Sequence, residues 1–458
     1  MTISVRLSWA LYALLFSVGV RSSYEMPNSA FSGPQGLPTK CTHISVRKEI
    51  RQMTKREWDG FIDAFHKLHD RGLHTYLVPL HKEYDMWAHQ TPAFFPWHRY
   101  YIRVFERRLQ EIDPNVMLPY WDWTIDSQSP ETQFAMTEGG GNGEGPDNCV
   151  IKGRFARWMR EIPTEGCLKR IFNGGDKMVS IYPPESLNNF IDVASDYLQF
   201  HDIMEYGPHN NVHRAIGGDM AELYSPNDPL FWIHHGFIDK IWHRWQKLHP
   251  DVQYGYGGIV RSGNTTEDTS PNASATMCDN LVPFNIPVSA VMDISSAGLC
   301  YTYTDSPGDF IRAPFSQPVI PLSKVQLLAN PDYAKIFGGL SPFDRNDLNN
   351  LRIPQALEKD WLDQRNMDFV KTRRFEQTNA ELLQKLRGLN YTSPVSLDNV
   401  QSTIELLKTM GQQYSSPYDT KELPDPRIPD ASQWAHICPL STHLFAGLRQ
   451  DPRYIPSP

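Results

Sequence analysis

The sequence predicts a mainly α-helical protein with a helix-bundle core, long connecting loops and a C-terminal extension of different character. Three observations carry this. Apolar residues recur at helical spacing in several stretches bounded by capping and breaking residues. Histidines stand four apart or in close succession within those stretches. Past residue 258 the composition shifts to Gly, Ser, Pro and Thr before helical patterns resume.

The elements follow in order. Residues 46–72, VRKEIRQMTKREWDGFIDAFHKLHDRG, read as the first helix. Thr54 and Glu57 have capping-box spacing, and Trp58, Phe61, Ile62, Phe65 and Leu68 form one apolar face that ends at Gly72. A second helix runs from Phe95 to Ile112, opened by Pro96, with His98, Ile102, Phe105 and Leu109 on its face. LPYWDW and the Gly-rich EGGGNGEGPDNC form a long loop. Residues 184–217 give a further helical stretch broken at Gly207-Pro208, and residues 226–250 a helix with a Pro-Asn-Asp-Pro start and a stop at Pro250. Residues 251–330 read as loop. Residues 331–410 turn helical again, with QTNAELLQKLRGL and NVQSTIELLKTMG as amphipathic segments, and the last forty residues are Pro-rich.

The N-terminus has the form of a signal peptide. Residues 1–23 carry Arg6, then an uncharged apolar run from Leu7 to Val20, then the small Ser22 and Ser23. The run is shorter than the ~20 residues that span a bilayer. The expected mature chain is secreted or held in a secretory compartment, with no membrane segment. Six cysteines, an even number, suit that route. Closure of local loops suggests Cys149–Cys167 and Cys278–Cys300. Sequons stand at Asn264, Asn272 and Asn390. A net charge of −8 without basic blocks gives no footprint for nucleic acid.

The histidines carry the chemistry. His209 and His213 lie at i and i+4, so on a helix they share one face. His235, beside His234, sits on the next predicted helix. Upstream, His81, His89 and His98 fall within eighteen residues. A lone i,i+4 pair is more often surface decoration or a satisfied core pair. Two triads in aromatic-rich segments point instead to two three-coordinate metal sites in a bundle core. The remaining histidines read as ordinary surface or core residues. Imidazole suits zinc, copper, iron and nickel. Neither triad has the H-E-x-x-H form of a catalytic zinc site. All-imidazole sites suit copper, and a pair of such ions can clamp dioxygen.

TPAFFPWHRYYIRVFE and HNNVH…SPNDPLFWIHHGFIDKIWHRWQ resemble the two copper-binding segments of the type-3 copper family: tyrosinases, catechol oxidases and haemocyanins. The likeness spans about residues 41–250. It implies a four-helix-bundle core with two copper ions. One is held by His81, His89 and His98, with His74 as rival to His81. The other is held by His209, His213 and His235, with His234 as a neighbour. The resemblance also sets Phe231, Arg214 and Leu223 at the substrate entrance, core packing being the alternative for Phe231. Asp239 and Glu106 are expected to orient ligand imidazoles, unless Glu106 simply pairs with Arg103. Asn210 is expected to hold a proton-accepting water, with helix capping as its other reading. An upstream Glu shares that task in monophenol-hydroxylating relatives; Glu161 and Glu165 are the candidates. Trp87 precedes His89 where many relatives have a nearby Cys, so no thioether link is expected.

The domains implied are a signal peptide at 1–23, a tyrosinase-type binuclear copper domain at 24–258, and an extension at 259–458. Family members often carry a C-terminal domain that shields the site until proteolysis. The extension is the candidate for that role, although its helical segments do not fit the β-sandwich of some relatives. The function implied is a secreted oxidase of phenols that uses dioxygen to hydroxylate monophenols, oxidise catechols to o-quinones, or both. A haemocyanin-like oxygen carrier and a silent structural relative are the alternatives.

Overall fold

The computed structural model describes residue 41 and residues 43–259, 274–325 and 351–396. The signal segment, the sequons at Asn264 and Asn272, and NVQSTIELLKTMG lie outside the described residues. The expected first helix proves composite. Strand β1 (Ser45–Arg47) and a 3-10 turn (Ile50–Gln52) precede α1 (Lys55–Asp70). Thr54 is extended and its hydroxyl accepts from the amide of Glu57, so the expected capping box is present and starts the helix there. The residues before it take strand form because they have a partner distant in sequence.

Short α2 (Val78–Glu83) and α3 (Asp85–Ala88) lead into α4 (Phe94–Gln110). A long loop carries the small α5 (Phe134–Gly139) and the two-residue strands β2 (Met159–Arg160) and β3 (Gly166–Cys167). Then come α6 (Pro184–Val193) and α7 (Tyr197–Met204). The expected break at Gly207-Pro208 is no break. A π-helical turn, Glu205–His209, carries the chain directly into α8 (Asn210–Ile216). The wider turn admits the proline without ending the helical path. Helix α9 (Pro229–Leu248) is capped by the Asp228 carboxylate on the amide of Leu230.

The core is a helical bundle built on α4 and α9. Phe105 of α4 stacks on Trp232 of α9 with ring centroids 3.8 Å apart, and Phe65 of α1 meets Phe105 edge-on at 4.9 Å. Phe200 of α7 stacks between Phe95 of α4 at 5.0 Å and Trp245 of α9 at 4.9 Å. Gly236 of α9 lies so close to the loop after α4 that a Cβ there would stand 2.8 Å from the carbonyl of Pro119.

A buried charged cluster pins the bundle. Asp239 of α9 accepts from Arg99 Nε at 2.5 Å and from the hydroxyls of Tyr301 and Tyr303 at 2.6 Å each. Arg47 of β1 bridges Asp239 at 3.4 Å and Glu106 at 2.7 Å. Glu106 also accepts from Arg103 at 2.8 Å and from the amide of Leu118 at 2.9 Å. Burial alone would raise the Glu106 carboxyl; the guanidiniums of Arg47 and Arg103 overcome this and hold it at about 2.

The residues beyond Gly258 do not stand apart. After β4 (Asn280–Leu281) and β5 (Ile286–Pro287), strand β6 (Tyr301–Tyr303) pairs in parallel with β1, Ser45 opposite Tyr301 and Arg47 opposite Tyr303. Cys41–Cys300 closes that junction, so Cys300 does not pair with Cys278 as local loop closure suggested. Long-range strand pairing brings Cys41 to it instead. Cys149–Cys167 is present as expected. Helices α10 (Lys359–Gln364) and α11 (Phe369–Gly388) follow. Leu382, Leu383 and Leu386 of α11 bury against Ile125, Leu351 and Val395. Each such side chain contributes about 1.5–3 kcal/mol. Residue 258 therefore marks no structural division among the described residues. Asn390, the described sequon, is exposed just past α11.

Replacing Glu106 by Gln leaves Arg103 without its carboxylate and Arg47 with Asp239 alone, so urea denaturation at pH 7 should register a loss of about 3 kcal/mol. Because the folded pKa is depressed from 4.5 to about 2, the gap between wild type and variant should be constant above pH 4.5 and close as pH falls toward 2. A gap that persists unchanged at pH 2 would contradict this.

Candidate metal centre

Helix α2 contributes His81, the residue after α3 is His89, and α4 contributes His98. His209 ends the π-helical turn, His213 follows one turn later in α8, and α9 presents His234 and His235. Their rings converge between the helices. His98 and His235 stack at 4.4 Å with planes 7° apart, joining α4 to α9 at one point. His209 packs against His213 at 4.6 Å and His235 at 5.1 Å. His81 lies 4.6 Å from His89 and 5.5 Å from His98.

The hydrogen bonds fix the tautomers. Nδ1 of His81, His98 and His213 reaches the carbonyls of Leu223 (2.9 Å), Phe94 (2.8 Å) and Met220 (2.7 Å). A carbonyl only accepts, so each Nδ1 carries the proton and each Nε2 keeps its lone pair. Those Nε2 atoms are buried and find no hydrogen-bond partner, as do both ring nitrogens of His209, His234 and His235. So many bare buried nitrogens facing one another need an acceptor of lone pairs, which a metal supplies. His89 differs: its Nδ1 is 2.9 Å from Asp85 Oδ1, an ion-pair distance off the line of a good hydrogen bond.

Among the described residues, two groups have one nitrogen per residue within 4.8 Å of each other: His209, His213, His234 and His235, and His81, His98 and His235. Both are all-imidazole. Burial, reinforced by neighbouring imidazoles, pushes His81, His98, His209, His234 and His235 well below the usual histidine value, and burial takes His213 to about 3. The rings are neutral at pH 7, the form that binds metal. The donor set fits copper.

A pocket open to solvent reaches this cluster. His81, His89, His209 and His213 line it, together with Asp85, Glu205 and Asn210. Glu205 is buried, accepting from the amide of Gln90 at 2.6 Å and lying 2.7 Å from Nε2 of His201. Burial would lower the His201 pKa; the carboxylates of Asp202 and Glu205 overcome it and push it up to about 9. At neutral pH the carboxylate of Glu205 therefore faces an imidazolium.

Residues 70–248 match the common central domain of tyrosinase. The chain is 31% identical to a tyrosinase of Streptomyces antibioticus over 267 residues, covering 52% of this chain and 97% of that protein. The chain belongs to the tyrosinase family. It is 32% identical over 294 residues to the tyrosinase ustQ of Aspergillus flavus, covering 57% of this chain and 80% of that one. A polyphenol oxidase structure from Thermothelomyces thermophila aligns at 22% identity with a TM-score of 0.46, covering 57% and 89% of the two chains. Membership makes this chain a tyrosinase-like copper oxidase and implies a type-3 copper centre.

Against the tyrosinase pattern, all six expected ligand histidines converge. The nearest nitrogens do not divide as expected, because His235 joins His81 and His98 while His89 leans to Asp85. His74 is no rival to His81: its Nε2 bonds the carbonyl of Pro226 at 2.8 Å. His234 is fully buried against His209 and His213. Leu223 lines the pocket and also holds His81 through its carbonyl. Phe231 does not stand at the pocket mouth; it is fully buried on α9, 4.3 Å from the His235 ring and 5.1 Å from His81. Arg214 is engaged away from the pocket lining by a bidentate ion pair with Glu358, at 2.7 and 2.8 Å. Asp239 and Glu106 bond arginines and tyrosines, not ligand imidazoles, because Arg47, Arg99 and Arg103 reach them first. The described cysteines are disulfide-bonded, so none of them is available to His89 for a thioether.

Glu161 and Glu165 are exposed and do not line the pocket. The buried glutamate that lines the pocket together with Asn210 is Glu205. Its signal was present in the sequence: Glu205 and His209 repeat the i,i+4 spacing, as do His201 and Glu205, and Asp85 and His89. In the copper-free chain, nuclear magnetic resonance should find His201 titrating near pH 9, and Glu205→Gln should lower that midpoint by about one unit or more. A midpoint near 6.5 in both proteins would refute the pairing.

Proposed function

We propose that this chain is a secreted phenol oxidase of the tyrosinase kind, using dioxygen to oxidise catechols to o-quinones and to hydroxylate monophenols. The observation that carries this is the set of bare, neutral imidazole nitrogens at the floor of an open pocket that also holds Glu205 and Asn210. A pocket open to solvent suits a ring-sized substrate that must reach the site and leave it. The signal-like N-terminus and the disulfides support secretion.

His81, His89 and His98 would hold one copper ion, and His209, His213 and His235 the other. When bound, the copper pair supplies dioxygen binding and takes electrons from the phenol. His235 is preferred to His234 because its nitrogen belongs to both close groups. The carbonyls of Leu223, Phe94 and Met220 keep three imidazoles in the ligating tautomer. The aromatic packing of Phe231 against His235 limits rotation of that ring.

Hydroxylation of a monophenol needs the phenolic proton removed, against a pKa near ~10. Glu205 and Asn210 both line the pocket, and together they would hold the water that accepts it. His201, protonated, would keep Glu205 fixed in place. This makes Glu205 the carboxylate partner of Asn210.

Copper reconstitution followed by elemental analysis should give two copper ions per chain, and His235→Ala should lose the ion held with His209 and His213. His234→Ala should retain copper. The reverse order would reassign the ligand within the pair. Glu205→Gln and Asn210→Ala should each lower the tyramine rate by about 100-fold, with a much smaller loss on dopamine. Equal losses on both substrates at unchanged copper content would remove these residues from proton handling.

A further inference from the structure

We infer that the segment Glu358–Met367 is a permanent wall of the pocket and selects phenols by the bulk of their ring substituents. The inference rests on reading the pocket as the phenol site. Trp361, Arg365 and Met367 line that pocket together with its histidines, and all three lie outside the tyrosinase central domain at 70–248.

The segment is fastened on every side. At its start Glu358 takes both donors of Arg214, at 2.7 and 2.8 Å. In its middle the indole of Trp361 donates to the carbonyl of Ala221 at 3.1 Å, and the guanidinium of Arg365 bonds the same carbonyl. Arg365 also lies over the Trp361 ring at 4.3 Å. The carbonyl of Arg365 accepts from Gln90 Nε2 at 2.8 Å, and Met367 Sδ accepts from Asn210 Nδ2 at 3.4 Å. Leu362 is fully buried beneath α10. Helix α11 then continues directly into the core through Leu382, Leu383 and Leu386.

This segment is held by a bidentate ion pair, four backbone or side-chain hydrogen bonds and a buried leucine. It is part of the site's architecture. A ring that turns its oxygen to the histidines shares the pocket with Trp361 and Met367, which limit the room left for a para substituent. Bulk at that position meets the indole and the thioether, while an unsubstituted ring does not reach them.

Binding without turnover tests this. Calorimetry on the full-length, copper-loaded resting protein should compare benzoate with 4-tert-butylbenzoate, in wild type, Trp361→Ala and Met367→Ala. The two ligands share a carboxylate, so their interaction with Arg365 cancels in the ratio. In both variants the ratio of dissociation constants should shift toward the bulky ligand by about tenfold, the size expected for a few methyl groups gaining room. Trp361 is only half-buried, so its replacement tests the wall without opening the core. An unchanged ratio in both variants overturns the inference. So does equal tightening of both ligands, the mark of a removable cover, or the absence of binding in all three proteins. A chain that binds both ligands as expected but oxidises no catechol overturns the oxidase reading alone.

Discussion

Arg99 follows His98 on α4, and Asp239 stands one turn after His235 on α9. Their side chains meet at 2.5 Å in the core. That contact fixes the two helices at the level where His98 and His235 stack. The arginine is held further by the carbonyls of Val291 and Met292, and its charge lies over Trp242 at 3.6 Å. The carboxylate is held by two tyrosine hydroxyls. Every group in the cluster has several partners. Such redundancy suits a buried ion pair, whose desolvation cost is met only when its remaining valences are filled. The histidines inherit their spacing from it.

The site has the opposite character. Apart from His89, which leans on Asp85, its imidazoles are buried, neutral and short of partners on their inward nitrogens. Unpaired buried polar atoms cost free energy unless something fills them. Two helices held rigidly by one cluster can keep such atoms facing each other. The backbone carbonyls that take the outward protons complete the arrangement, because they leave each ring one orientation and one free lone pair.

Much of this was legible in the sequence. The i,i+4 spacing of His209 and His213, the paired His234 and His235, and the capping box at Thr54 all express local geometry, and local geometry is what a sequence displays. Glu205 was hidden because Gly207-Pro208 reads as the end of a helix. A π-helical turn carries the chain through instead, so the carboxylate one turn before His209 stays on the same element. Arg214, Asp239 and Glu106 illustrate a different limit. Each is close to the histidines in sequence, but its contacts are chosen by Glu358, Arg47, Arg99 and the tyrosines of β6, residues far along the chain. Strand β1 and the Cys41–Cys300 bridge were invisible for the same reason.

The pairing of β1 with β6 has a kinetic consequence. Every imidazole of the site lies before residue 236, yet Tyr301 and Tyr303 supply the hydroxyls on Asp239 and the strand that holds Arg47. During synthesis the ribosome completes the metal-binding residues well before the strand that steadies their helices emerges. Contacts this distant along the chain close late, because the intervening loop must first be ordered. The N-terminal strand waits unpaired through that interval, and a chain released early would carry all its ligands on helices whose shared anchor is unfinished.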